Sequence, residues 1–242
     1  MNATIPAPES KRLLRIAVPI LVSVSGVTIM LLLSRFLQNG TIPVWTIWDN
    51  LEVNFTFTMQ MLMLPVSFTA VLFIYVYHRP AFITFFTIRI RSTTEEGVDW
   101  NLLGPLLAVV FTMGTTMYMF ASVAAQDGQV NAVFYRLLPL VFLLAATNAW
   151  TEEIFTRFVI VAGLYGKLSP TAVCWISALV FGLPHFFGTP SGVFGVIMAG
   201  LMGWLLARSV IATKSMAWAL FIHFLQDVVI FGAGAMVIAG NV

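Results

Sequence analysis

Seven apolar runs near 20 residues long follow one another along this chain, at about 16–34, 53–77, 102–125, 133–163, 170–187, 192–209 and 215–238. A run of that length spans a hydrocarbon core of about 30 Å as one helix, and in lipid every backbone polar group must be satisfied within its own segment. The expected fold class is therefore all-α, a polytopic membrane protein of about seven transmembrane helices. With 60% hydrophobic and 9% charged residues and a mean hydropathy of +0.95, the chain is excluded from the soluble domains. The net charge of +2 is spread over loops and helix ends, so nucleic acid is not an expected partner and the lipid bilayer is.

The first run follows Lys11, Arg12 and Arg15 as a secretory signal would. Its apolar core is long and no small-residue cleavage pattern closes it before Arg35, which predicts a retained signal anchor. Trp45, Trp48 and Trp100 mark interfaces, and the stretch from Pro80 to Arg91, apolar residues alternating with Thr or Arg, suits an interfacial segment. The single cysteine, Cys174, reads as a packing residue. Two regions are expected: an N-terminal membrane region of three helices over 1–130 and a C-terminal four-helix core over 131–242.

Basic residues set the orientation. With the N-terminus inside, the cytoplasmic segments hold Lys11, Arg12, Arg15, Arg79, Arg89, Arg91, Lys167, Arg208 and Lys214, against Arg35 and Arg136 outside. The chain is thus expected as a multi-pass protein of a prokaryotic plasma membrane, N-terminus cytoplasmic. The 133–163 segment is long for one crossing, about 46 Å if helical throughout. Either it tilts and protrudes, or it breaks near Pro139 or Thr147-Asn148.

Against this apolar background stand Glu152, Glu153, Arg157, His185, His223 and Asp227. One Asp, Lys or Arg at a helix centre costs roughly 2.5 to 3.5 kcal/mol, so the six are expected to face one another or water rather than lipid. Glu153 and Arg157 stand i,i+4 with the acid first, the favoured order for a structural ion pair. Glu152 points about 100° away, with Asn148 and Thr156 rather than a cation on its face, and is left free for chemistry. Counted from the turn around Lys167, Glu152 lies about 22 Å and His185 about 27 Å along their helices, a similar depth. Pro184 opens the backbone beside His185, and His223 and Asp227 share one face of the last helix. Gly195, Ala199 and Gly203 form a small-residue stripe that permits close helix contact.

Other readings of these residues stay open at this point. Glu152, His185 and His223 would supply metal ligands from three helices, though no His-Glu-x-x-His run accompanies them. The same residues also suit a proton relay or a polar binding site in a transport or immunity protein. His78, beside Arg79-Pro80, reads as interfacial.

Three short motifs carry a resemblance. Glu152-Glu153-Ile154-Phe155-Thr156-Arg157, Phe181-Gly182-Leu183-Pro184-His185 and His223-Phe224-Leu225-Gln226-Asp227 resemble, in order, the Glu-Glu-x-x-x-Arg, Phe-x-x-x-His and His-x-x-x-Asn/Asp motifs of the CPBP (CAAX protease and bacteriocin-processing, or Abi) family of intramembrane endopeptidases. The resemblance covers about 133–238. It implies a peptidase that acts on a membrane-associated protein or peptide; neither metal nor cofactor is expected, since a zinc mechanism would consume most of these groups as ligands and leave no separate base. In the implied peptidase Glu152 with His185 activates water, and His223 with residue 227 meets the oxyanion. Position 227 is Asp here, and an ionised Asp cannot donate to an oxyanion, so Asp227 is expected to orient His223 and fix its tautomer. Phe158 stands where many members have Gly and is expected to reshape the cavity.

Overall fold

The computed structural model describes residues 9–91 and 98–241, without the side chains of Glu9 and Lys11. The chain forms α1 (Glu9–Gln38), α2 (Leu51–Tyr77), a short α3 (Arg79–Phe85), α4 (Trp100–Ala125), α5 (Ala132–Glu153), α6 (Val159–Leu164), α7 (Pro170–Gly182), α8 (Gly192–Thr213) and α9 (Ala217–Gly240). A π-helical turn, Ile154–Phe158, joins α5 to α6, and a 3-10 turn, Leu183–Phe187, extends α7. Among the described residues there is no strand, and seven spans are long and apolar enough to cross a membrane. The protein is an all-α, multi-pass integral membrane protein.

The long fourth span does not break. Pro139 lies within α5, whose helix continues through Thr147-Asn148 and the π turn to Leu164, making Ala132–Leu164 one crossing of 33 residues. A proline removes one backbone donor and crowds the preceding turn, and here the helix absorbs it. The irregularity falls instead directly after the two glutamates.

Helix contact follows from small residues and from hydrogen bonds across the bundle, since lipid offers little hydrophobic drive for helix association. The expected stripe is realised between α7 and α8: a Cβ on Gly203 would lie 3.3 Å from the Ala178 Cα, and one on Gly182 3.0 Å from the Gly200 Cα. The N-terminal helices are tied to the C-terminal ones by polar side chains. Trp150 Nε1 donates to Ser67 Oγ at 3.0 Å, Thr147 donates to Gln60, and Gln226 joins α9 to Thr112 and Thr115 of α4. Interhelical hydrogen bonds of this kind contribute about 0.6 kcal/mol each, so several together weld a bundle that no single one would hold. Trp45 and Trp48 are partly exposed as interfacial residues should be, whereas Trp100 is buried in the apolar core.

The basic residues gather at one end. Tyr77 Oη donates to the Arg15 carbonyl at 3.0 Å, Lys167 Nζ lies 4.7 Å over the Tyr77 ring, and Lys214 Nζ sits 5.0 Å over Tyr165 and 5.5 Å over Phe85. His78, at the same end, is half-buried and bonds the Ala162 carbonyl through Nδ1 at 2.9 Å, capping the end of α6. Arg35 and Arg136 lie towards the other end, where Gln129 N–H donates to the Met236 carbonyl. Single-cysteine accessibility labelling should place the Lys167 and Lys214 turns on the cytoplasmic side with the N-terminus, and Asn241 on the other. Labelling of Asn241 and Lys214 from one side would overturn this orientation. Val242, expected on the side opposite the N-terminus, lies outside the described residues, as does the Lys11 side chain.

Candidate active site

The six residues of the cluster come from four elements: Glu152 and Glu153 from the end of α5, Arg157 from the π turn, His185 from the 3-10 turn, and His223 and Asp227 from α9. The Glu152-Glu153 pair ends α5, and the π turn that follows closes on a bond from the Val159 N–H to the Ile154 carbonyl, one residue wider than an α turn. Three carbonyls around this turn accept from hydroxyls: Glu152 from Thr156 at 2.6 Å, Phe155 from Ser23 at 2.7 Å, and Thr156 from Ser177 at 2.6 Å. Side chains from α1 and α7 thus supply what a loosened ladder does not. No feature of the apolar period marks this turn in advance.

Glu153 and Arg157 form the expected pair, Oε2 to Nε at 3.3 Å, with neither side chain exposed. The alignment falls short of a hydrogen bond, and Arg157 is held further by its contact with Thr156 and by the Phe181 ring, 3.8 Å beneath its guanidinium carbon. A desolvated cation over an aromatic face is worth about 2 kcal/mol, which makes Phe181 part of the charge balance.

Glu153 does more than its spacing to Arg157 implies. Its Oε1 lies 2.7 Å from His223 Nδ1, so one buried carboxylate joins α5, the π turn and α9. With that carboxylate ionised, Nδ1 must be the donor. Nε2 faces the other way, 3.5 Å from Glu152 and 3.6 Å from Asp227. The two adjacent glutamates diverge around their helix, as the period requires, and still meet the same imidazole from opposite sides. The group on Nδ1 is Glu153, and Asp227 meets the opposite edge of the ring. Asp227 sits i,i+4 from the ring on its own helix, where geometry brings its carboxylate to the Nε2 edge, and it accepts from Asn148 Nδ2 at 3.2 Å. Asn148, expected on the face of Glu152, therefore serves Asp227.

His185 and Glu152 line one narrow cleft between α1, the π turn and α7, together with Thr156, Phe155, Phe181 and Pro184. His185 is half-buried, and Glu152 keeps 16% of its side chain exposed where Glu153 keeps none. His185 Nδ1 donates to the Phe181 carbonyl at 2.9 Å, which leaves Nε2 of a neutral ring to accept. Its ring packs 4.6 Å from Phe181, and Phe181 in turn lies 5.5 Å from His223, so one aromatic ring spaces the two histidines. Phe158 does not line this cleft. It is fully buried away from the cleft, against Phe82 and Phe86.

Cys174 is buried, in keeping with a packing role. Among the described residues no three His, Cys, Asp or Glu side chains are arranged to hold a metal ion. A larger cavity, about 320 Å³, lies elsewhere, between α2, α4, α5 and α9; its walls are mainly apolar and include none of the six charged residues. Chemistry needs convergent polar groups rather than volume, and those are in the narrow cleft.

Residues 134–229 match the family described as type II CAAX prenyl endopeptidase, Rce1-like, and the matched segment contains all three motifs and all six charged residues. The match bears out the family resemblance carried by those motifs. It covers the helices from α5 to the first half of α9 and leaves α1 to α4 outside. No curated protein and no solved structure matches the chain.

Proposed function

We propose that this chain is an intramembrane endopeptidase in which Glu152 and His185 activate a water molecule against a peptide bond of a membrane-associated protein or peptide. The observation that supports it best is their meeting: two groups from different helices share one cleft, Glu152 is the partly exposed member of its pair, and His223 Nε2 stands 3.5 Å behind it. The match to a family of endopeptidases agrees with that chemistry.

Water has two protons, and the cleft offers two acceptors, the Glu152 carboxylate and His185 Nε2. Held between them, the oxygen is free to attack a carbonyl carbon while Glu152 takes one proton. As the carbon–oxygen double bond opens, charge develops on the carbonyl oxygen. His223 meets it when the ring is doubly protonated, with Nδ1–H held by Glu153 and Nε2–H turned to the oxyanion. Glu152 then returns its proton to the departing amine nitrogen as the carbon–nitrogen bond breaks. Glu153, Arg157 and Phe181 keep the imidazole in place, and Asp227 with Asn148 fixes the far edge of the site. Every step uses a side chain already present, so the reaction asks nothing of a metal.

The test is hydrolysis by the purified protein, reconstituted in liposomes, of internally quenched peptides ending in Cys-aliphatic-aliphatic-X, with and without a farnesyl thioether on the cysteine. Cleavage of either supports the endopeptidase, the pair reports the need for a prenyl group, and activity should persist after exhaustive chelation. Activity lost on chelation and regained on adding zinc would overturn the water-and-glutamate mechanism in favour of a metal-bound water. Absence of cleavage of both peptides would favour a non-catalytic polar site.

A further inference from the structure

The matched segment starts at residue 134, yet the cleft is not built from that segment alone. We infer that α1 is a wall of the active site and selects the substrate side chain that lies beside the scissile bond, an inference that rests on the endopeptidase reading. Gly26, Val27 and Met30 of α1 close the cleft opposite Glu152 and His185. Two fixed points hold α1 there. The buried Ser23 hydroxyl donates to the Phe155 carbonyl at 2.7 Å, inside the π turn itself. Three residues on, a Cβ at Gly26 would stand 2.2 Å from the Phe155 ring, so only glycine lets the helix come this close. Nearer the start of α1, a Cβ at Gly163 of α6 would lie 2.4 Å from Pro19, a second close approach of α1 to the same membrane span.

These contacts point α1 at the chemistry rather than at lipid along one stripe. Ser23 and Gly26 are buried, and Val27 and Met30 are half-buried on the same side, one helical turn further on. Both cleft-facing side chains are apolar, and a peptide that reaches Glu152 must pass them. The pocket they form takes an apolar residue of limited size. Met30, unbranched and flexible, tolerates several such residues where a rigid ring would not.

The test reads position before it reads turnover. In the Glu152→Gln background, which holds a peptide without cleaving it, Met30→Cys is labelled with N-ethylmaleimide with and without the quenched farnesylated peptide. The one native thiol, Cys174, is buried and adds little background. Bound peptide should slow labelling of Met30→Cys at least fivefold and leave Gln38→Cys, exposed at the end of the same helix, unchanged. Val27→Cys should behave as Met30→Cys. In the active protein, Met30→Trp should lower kcat/KM for a peptide with Phe after the scissile bond by about tenfold relative to its Ala counterpart, the scale of discrimination a small change in an apolar pocket gives. If the wild-type protein cleaves the peptide but both cysteines label at one rate with or without it, or do not label at all, α1 is no wall of the site and the endopeptidase reading stands. If wild-type protein cleaves neither the farnesylated nor the unmodified peptide, that reading falls and this one with it.

Discussion

Glu152→Gln is expected to lower turnover by about 10²- to 10⁴-fold while leaving a protein that extracts and melts like the wild type, because a general base contributes on that scale and its amide isostere keeps the volume and one acceptor oxygen. Arg157→Ala should do the reverse in the first instance. It strips Glu153 of a fully buried cation and leaves the Phe181 face empty, a loss of about 3 to 5 kcal/mol if the carboxylate stays charged. Thermal unfolding in detergent separates the two, with a large drop in Tm for Arg157→Ala and almost none for Glu152→Gln. The double variant Glu153→Gln/Arg157→Met should recover much of that Tm, since removing both charges is cheaper than orphaning one. It should not recover activity, because His223 loses the carboxylate on Nδ1. Full activity in Glu152→Gln would show that the base is elsewhere.

The different fates of adjacent glutamates illustrate what a sequence of this kind discloses. Spans are legible because lipid imposes a length, and the six charged residues are conspicuous because lipid makes them costly. The ion pair of Glu153 with Arg157 follows from helical spacing alone. Its second partner does not. His223 is 70 residues away, and nothing local distinguishes a carboxylate that serves one neighbour from one that serves two. Helical periodicity likewise assigns Asn148 to Glu152, whereas the crossing of α5 and α9 delivers it to Asp227. The π turn is the largest omission. It adds a residue to one turn of an apolar helix, a change that leaves hydropathy untouched and shifts every later side chain. Ser23 and Gly26 are equally silent in sequence, since a serine and a glycine in a transmembrane helix are ordinary, and only their approach to Phe155 gives them a role.

The two sides of the His223 ring predict opposite tolerance to substitution. On the proposed mechanism, His223→Ala removes the donor to the oxyanion and should cost about 10² to 10³ in kcat, the usual effect of deleting such a donor. Asp227→Asn should stay within about tenfold of wild type. Its carboxylate lies 3.6 Å from Nε2, a contact and not a short hydrogen bond, and the side chain's other partner is an amide that pairs with Asn as well as with Asp. An amide at 227 also brings a donor to the oxyanion side, which the carboxylate lacks. Glu153→Gln is the discriminating third case. An amide on Nδ1 removes the carboxylate nearest the ring, at 2.7 Å, so this variant should lose activity nearly as far as His223→Ala while Asp227→Asn does not. The opposite order, Asp227→Asn inactive and Glu153→Gln active, would make Asp227 the residue that orients His223 and return Glu153 to a purely structural partnership with Arg157.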